Sequence, residues 1–218
     1  RERSALADAT LSVLLPRVVA DFSARYGSVA GGDLAVVLLG KAGSQEMMAG
    51  SDLDLLLIYS HPSDVTESHG AKVLAASTWF VRAVHALVAA LTAPGPEGQM
   101  FAVDMRLRPS GNKGPVAVSL DAFVRYHEQD SWTWERMALT RARVVAGPAA
   151  LRERIGAIIQ ASIRRGDDPA KIRADAAAMR ARMARELTPY GPWDVKLRPG
   201  CQVDVEFIAQ ALQLIYAP

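Results

Sequence analysis

The chain has 218 residues, half of them hydrophobic, with a mean hydropathy of +0.08, which excludes a disordered chain and a metal- or disulfide-stapled mini-protein. Its formal charge is only +2, yet the 25 basic residues divide into 20 Arg and 5 Lys, and Arg makes forked contacts to phosphate and carboxylate that Lys does not copy. A single cysteine, Cys201, excludes a disulfide framework or a multi-cysteine zinc site, no apolar run nears the roughly 20 residues of a membrane span, and Arg-Glu-Arg-Ser does not open a signal peptide, so a soluble cytoplasmic protein with no membrane partner is expected.

Residues 4–26 space Leu6, Leu11, Leu14, Leu15, Val18 and Val19 along one helical face, and Gly31-Gly32-Asp33 closes the connection that follows. Leu34 to Leu39 is an aliphatic run closed by Gly40, and Leu53 to Tyr59 is another; both have strand length and are apolar on both faces. Val73, Ser77, Phe80, Val81, Val84, Leu87, Val88 and Leu91 recur at helical spacing until Pro94-Gly95-Pro96. Phe101 to Leu107 alternates, setting Phe101, Val103, Met105 and Leu107 on one face and Ala102, Asp104, Arg106 and Arg108 on the other. After the loop at 109–115 every long segment reads as helix, with breaks at Gly147-Pro148, 166–169 and 188–192 and an apolar stripe Ile172, Ala176, Met179, Met183 and Leu187. The expected architecture is α+β: a mixed sheet with flanking helices over residues 1–115, then a helical bundle over 116–218.

The chemistry concentrates in acids. Ser51-Asp52-Leu53-Asp54 opens a strand, and carboxylates at i and i+2 of a strand share a side. Two like charges beside an aliphatic run are costly without a cation, and hard oxygens suit Mg²⁺, which completes its shell with water and substrate phosphate. With Asp104 from another strand, the set Asp52, Asp54 and Asp104 fits two Mg²⁺ roughly 3.5 to 4 Å apart. Upstream, Gly40-Lys41-Ala42-Gly43-Ser44 is a turn in which glycines let the backbone approach a phosphate; it lacks P-loop spacing. Arg106 and Arg108 are placed to grip a triphosphate or departing pyrophosphate, with the alternative that one of them, Arg108 at the strand end sooner than Arg106, pairs with a structural carboxylate; Lys41 carries the same two readings.

A Gly-rich turn, Asp-x-Asp and a later strand Asp together resemble the nucleotidyltransferase fold of the polymerase β superfamily. The blocks from Gly40 to Leu55, Asp104 to Asn112, Ser131 to Gly147 and Pro199 to Gln210 closely resemble the bacterial glutamine synthetase adenylyltransferase family. Arg-Pro-Ser-Gly-Asn at 108–112, Trp-Thr-Trp-Glu at 132–135 and Val-Asp-Val-Glu-Phe at 203–207 are similar to its C-terminal, adenylylating half rather than its adenylyl-removing half. The resemblance implies transfer of AMP from ATP to a tyrosine of glutamine synthetase, regulating nitrogen assimilation, with no nucleic-acid partner and a P-II type signal protein acting through the full-length enzyme. It implies Asp52, Asp54 and Asp104 as catalytic residues and Mg²⁺ ligands. Gly43 and Ser44 would face the ATP phosphates, within a binding set that includes Gly40, Lys41, Ser51, Arg106 and Arg108. The chain begins and ends inside apparent helices, as an excised piece of such an enzyme would.

Other residues carry quieter expectations. Asp204 and Glu206, at i and i+2 of a helix, lie about 200° apart and cannot serve one site; Asp204 reads as structural in the first turn. Gln202, Glu206, Gln210 and Gln213 form a polar stripe, with Glu206 either contacting substrate or facing solvent. Cys201 stands where the family has a second glycine, and a positive φ there would be strained. Trp132 and Trp134 read as packing anchors, and His61, His69, His85 and His127 show no metal spacing. From Glu135 to Glu186 eleven Arg and one Lys face six acids, a surplus that reads equally as a docking face for an acidic partner or as a solvated surface. The competing functional classes are the adenylyl-removing activity, a nucleotidyltransferase acting on RNA, and a non-catalytic binding module.

Overall fold

The computed structural model describes residues 1–70 and 72–216. In chain order the elements are α1 (Glu2–Tyr26), β1 (Asp33–Leu38), α2 (Gly40–Gly43), β2 (Leu53–Ser60), α3 (Ala76–Thr92), β3 (Pro94–Gly95), β4 (Gly98–Gln99), β5 (Val103–Asp104), β6 (Ala117–Ser119), α4 (Leu120–Arg125), α5 (Thr133–Leu139), β7 (Arg143–Ala146), α6 (Ala149–Ile163), α7 (Pro169–Glu186) and α8 (Gln202–Tyr216). The sheet runs β5-β2-β1-β7, with β6 also on β2. β1 pairs antiparallel with β2, from Asp33 opposite Ser60 to Leu38 opposite Leu55, whereas β5 and β6 both lie parallel to β2. The fold is α+β with a mixed sheet, as expected.

Strand alternation sorts the side chains into two cores. Val36, Leu38, Leu53, Leu55 and Leu57 face α1 and α3, while Ala35, Val37, Leu39, Leu56 and Ile58 face the helices of the second half. Both faces are covered, which is why β1 and β2 read as unbroken aliphatic runs. On α1 the buried line is Ser4, Ala7, Leu11, Leu15 and Phe22; Leu6 of the expected stripe is 49% exposed. On α3 it is Trp79, Phe80, Ala83, Val84, Leu87 and Leu91, and Val73 lies outside the helix.

Two expectations are corrected. The segment after residue 116 is not wholly helical, because Ala117–Ser119 and Arg143–Ala146 join the sheet and the two halves share it. Phe101 to Leu107 is not a long alternating strand; only Val103–Asp104 pairs, and the chain then turns through Ser110, which holds φ +63°. In the helical layer α5 packs against α6, α7 and α8. The α7 stripe is buried only at Ile172 and Ala176, and Leu187 is exposed. Among the described residues no helix is long and apolar enough to cross a membrane.

Candidate active site

Asp54 and Asp104 are register partners on parallel β2 and β5. By alternation Asp54 projects to the face of Leu56 and Ile58, towards the helical layer. Burial first, then the charges of Asp104 and Asp52, push its carboxyl up to about 6. Asp52 stands exposed just before the strand. Asp104 goes the other way: hydrogen bonding to Arg106 holds it below the usual carboxylate range, with Arg106 Nε on Oδ2 at 2.8 Å and its backbone N–H on Oδ1 at 2.8 Å. The three acids are thus brought into one electrostatic cluster. Among the described residues, however, no group of three acidic, His or Cys side chains closes on a single ion, since Asp104 is turned onto Arg106. The donor set still fits a hard cation: two carboxylates from adjacent strands, one destabilised by burial and by its like-charged neighbours, with the rest of the shell left to water and substrate.

The glycine turn is built against these acids. A Cβ on Gly40 would meet Asp54 Oδ2 at 2.1 Å, and Gly40 holds φ +53°, so only glycine lets the turn pass this close to the carboxylate. At Gly43 a Cβ would meet the Arg141 carbonyl at 1.8 Å. The turn is a single helical turn, α2, in which the Gly43 N–H donates to Leu39 O at 2.8 Å and the Ser44 N–H to Gly40 O at 3.2 Å. Those two amides are satisfied internally, so Gly43 supplies close packing rather than a free donor. Ser51 Oγ accepts from the Met48 N–H at 3.0 Å and closes the turn leading into β2.

A cavity of about 780 Å³ opens beside the turn. Its walls include Lys41, Gly43 and Ser44 on one side, Arg141 and Arg143 on β7 and its approach, and Gln202, Glu206, Gln210 and Gln213 of α8 opposite. The polar stripe of α8 therefore faces the turn, and Glu206 lines the cavity. Asp204 lies on the other side of α8, bonded to Arg180 and to the Gly200 N–H, as its structural reading expects. Cys201 carries no positive φ; the left-handed residue is Gly200, at +78°, so the expected strain is absent.

Arg108 is corrected as well. It is 8% exposed and donates from Nη1 to Met105 O at 2.7 Å and from Nε to Gly114 O at 3.1 Å, pinning the 105–114 loop; among the described residues it pairs with no carboxylate, and of the two arginines the one that does is Arg106, on Asp104. Residue spacing does not single out Arg141, which reaches Ser44 Oγ at 2.7 Å across 97 positions. The only sequence signal is the Arg-x-Arg at 141–143, whose second member binds Asp8 at 2.8 and 2.9 Å and ties α1 to β7.

Trp132 is no packing anchor: it is 68% exposed and contributes its backbone, whose N–H donates to Glu135 Oε2 at 2.9 Å; Trp134 is half-buried. His127 is buried against Phe123 and Tyr126, His61 stacks near Tyr59 and Phe80, and His69 and His85 are exposed. Of the arginines from 136 to 185, Arg136, Arg141, Arg143, Arg165, Arg180 and Arg182 have acidic partners. Much of the basic surplus is therefore internal wiring.

A sequence profile described as glutamate-ammonia ligase adenylyltransferase matches residues 1–157. The chain is 46% identical over 210 residues to the bifunctional glutamine synthetase adenylyltransferase/adenylyl-removing enzyme of Mesorhizobium japonicum, covering 96% of this chain and 21% of that protein. It is 47% identical over 207 residues to the enzyme of the same description from Brucella suis, covering 95% and 21%, and 47% identical over 196 residues to that of Rhodopseudomonas palustris, covering 90% and 20%. The chain spans about a fifth of the length of these relatives.

Proposed function

This chain belongs to the glutamate-ammonia ligase adenylyltransferase family, and we propose that it transfers AMP from ATP to a tyrosine hydroxyl of glutamine synthetase, releasing pyrophosphate. The observation that carries this reading is the register pairing of Asp54 with Asp104 beside a glycine turn that only Gly40 lets approach Asp54. In the reaction the phenolic oxygen bonds to the α-phosphorus while the bond to the bridging oxygen of the β-phosphate breaks. Pyrophosphate leaves with that electron pair, and the phenol proton passes to water or to a carboxylate of the cluster.

Asp54 and Asp104, with Asp52 at the strand entrance, would hold Mg²⁺. Bound there, the ion would neutralise phosphate oxygens and acidify a phenol whose ordinary pKa is near 10. Arg106 keeps Asp104 ionised, which suits a metal ligand better than a proton acceptor. Lys41 and Ser44 line the cavity where the phosphates would extend, and the turn fixes their direction, so alignment and charge stabilisation supply much of the acceleration.

The test is incubation of the chain with α-labelled ATP, Mg²⁺ and glutamine synthetase. Label on a glutamine synthetase tyrosine, lost in Asp54→Asn, is the expected result. Release of ADP from adenylylated glutamine synthetase and phosphate, without forward labelling, would replace this reading with the adenylyl-removing one. No turnover in either direction would reduce the chain to a binding module.

A further inference from the structure

The Arg141 guanidinium sits where the glycine turn meets α8, and it has more anionic partners than one cation neutralises. Its Nη2 reaches Ser44 Oγ at 2.7 Å and Glu46 Oε2 at 2.9 Å, its Nε reaches Ser44 Oγ at 3.2 Å, and its Nη1 meets Glu206 Oε1 at 3.0 Å. The side chain is 14% exposed, lines the 780 Å³ cavity, and acts electrostatically on Asp54. Neighbouring Arg143 is committed to Asp8 and to the carbonyls of Ala42 and Gly43. Arg141 and Lys41 are therefore the cations that the cavity wall offers beside Ser44. Glu206 has a second partner in Gln202, whose Nε2 donates to Oε1 at 2.9 Å, so losing Arg141 does not strand its carboxylate.

We propose that Arg141 binds the polyphosphate of the nucleotide and that Glu206 is the anion it gives up to do so. This inference rests on the nucleotidyltransferase reading above. A phosphate oxygen replaces Glu206 on Nη1, while Ser44 and Glu46 continue to orient the fork. Nucleotide entry thereby unlatches α8 from the glycine turn. The forked, always-charged guanidinium suits both partners, because carboxylate and phosphate present matching pairs of oxygens.

The experiment is calorimetric titration of the chain alone with Mg·ATP, without glutamine synthetase, alongside melting temperatures of the nucleotide-free variants. Arg141→Gln is expected to weaken binding roughly tenfold or more, as loss of a charge-assisted contact does, and Arg141→Lys to recover only part of it. Glu206→Gln, which removes the competing anion, is expected to tighten binding several-fold, and that gain should vanish in the Arg141→Gln background. Wild-type binding that Arg141→Gln leaves unchanged, or a Glu206→Gln effect of the same size with and without Arg141, overturns this inference alone. A wild-type chain that takes up no nucleotide overturns it together with the functional reading. Should Arg141→Gln fail to fold, Glu206→Gln decides by itself: tighter binding supports the latch, and unchanged or weaker binding removes it.

Discussion

Asp54 and Asp104 face each other across two parallel strands with their charges resolved differently: Arg106 holds Asp104 down, while Asp54 is left destabilised, its carboxyl pushed up to about 6. At neutral pH the ionised Asp54 is a cost to the metal-free fold. Asp54→Asn should therefore raise the stability of the metal-free chain, by on the order of 1–2 kcal/mol, while abolishing AMP transfer. Denaturant midpoints with and without the substitution measure this. A destabilised variant would mean that the carboxylate is satisfied by contacts in the fold rather than held for a cation.

The same residue shapes the acid limb of stability. His127, buried and beside Arg136 and Arg165, is held down to about 4, so below pH 6.5 the unfolded chain takes up that proton first and stability falls between about 6.5 and 4. Asp54 has the opposite sign: the folded chain is protonated first as pH drops below about 6, so stability rises towards the ordinary Asp value. Glu135, raised by burial, acts with Asp54. The lowered carboxyls Asp167 and Asp175 lose stabilisation only below the ordinary Asp range. Wild-type stability should be nearly flat from pH 6 to 4. Asp54→Asn should unmask a fall of up to about 1.4 kcal/mol per pH unit, and His127→Asn a rise. Parallel curves for all three proteins would refute the compensation.

The parts legible in the sequence are those whose burial is local in pattern. β1, β2, α1 and α3 follow from apolar periodicity, and the acids from their i, i+2 spacing at a strand mouth. β6 and β7, three and four residues long, are strands because β2 and β1 offer them free edges, which no pattern within them records. Arg106 and Arg108 continue an alternating pattern in sequence, yet Pro109 and the left-handed Ser110 turn the chain and separate their roles. Arg141 is invisible for the same reason as β7: its partners, Ser44 and Glu46 after β1 and Glu206 on α8, are distant in sequence.

Glycine substitutions should divide sharply. Ala at Gly40 would place its Cβ 2.1 Å from Asp54 Oδ2, and Ala at Gly43 would place it 1.8 Å from the Arg141 carbonyl, so each must displace the turn from the acids or from β7. Gly50 has φ +76° with open space around it, and Ala there carries only a left-handed backbone cost of about 1 kcal/mol. Nucleotide binding should be lost in Gly40→Ala and Gly43→Ala and kept in Gly50→Ala. Equal binding in all three would separate the turn from the nucleotide.

Arg106 and Arg108, two residues apart, should fail in different ways. Arg108 is buried on two carbonyls, and Arg108→Lys gives up the fork that reaches both, so it should lower stability by about 1–3 kcal/mol. ATP affinity measured well below the melting transition should stay close to wild type. Arg106 is 73% exposed on its side chain, and a pair so open to water contributes little to stability, so Arg106→Gln should melt near wild type. Its effect should fall on the acids: with Arg106 gone, the Asp104 carboxyl rises and its charge bears on Asp54 uncompensated, because Arg106 is among the cations that lower both. The Mg²⁺ dependence of nucleotide binding should therefore shift in Arg106→Gln and stay fixed in Arg108→Lys. The reverse pattern would move the influence on the acids to Arg108 and leave the 105–114 loop without its pin.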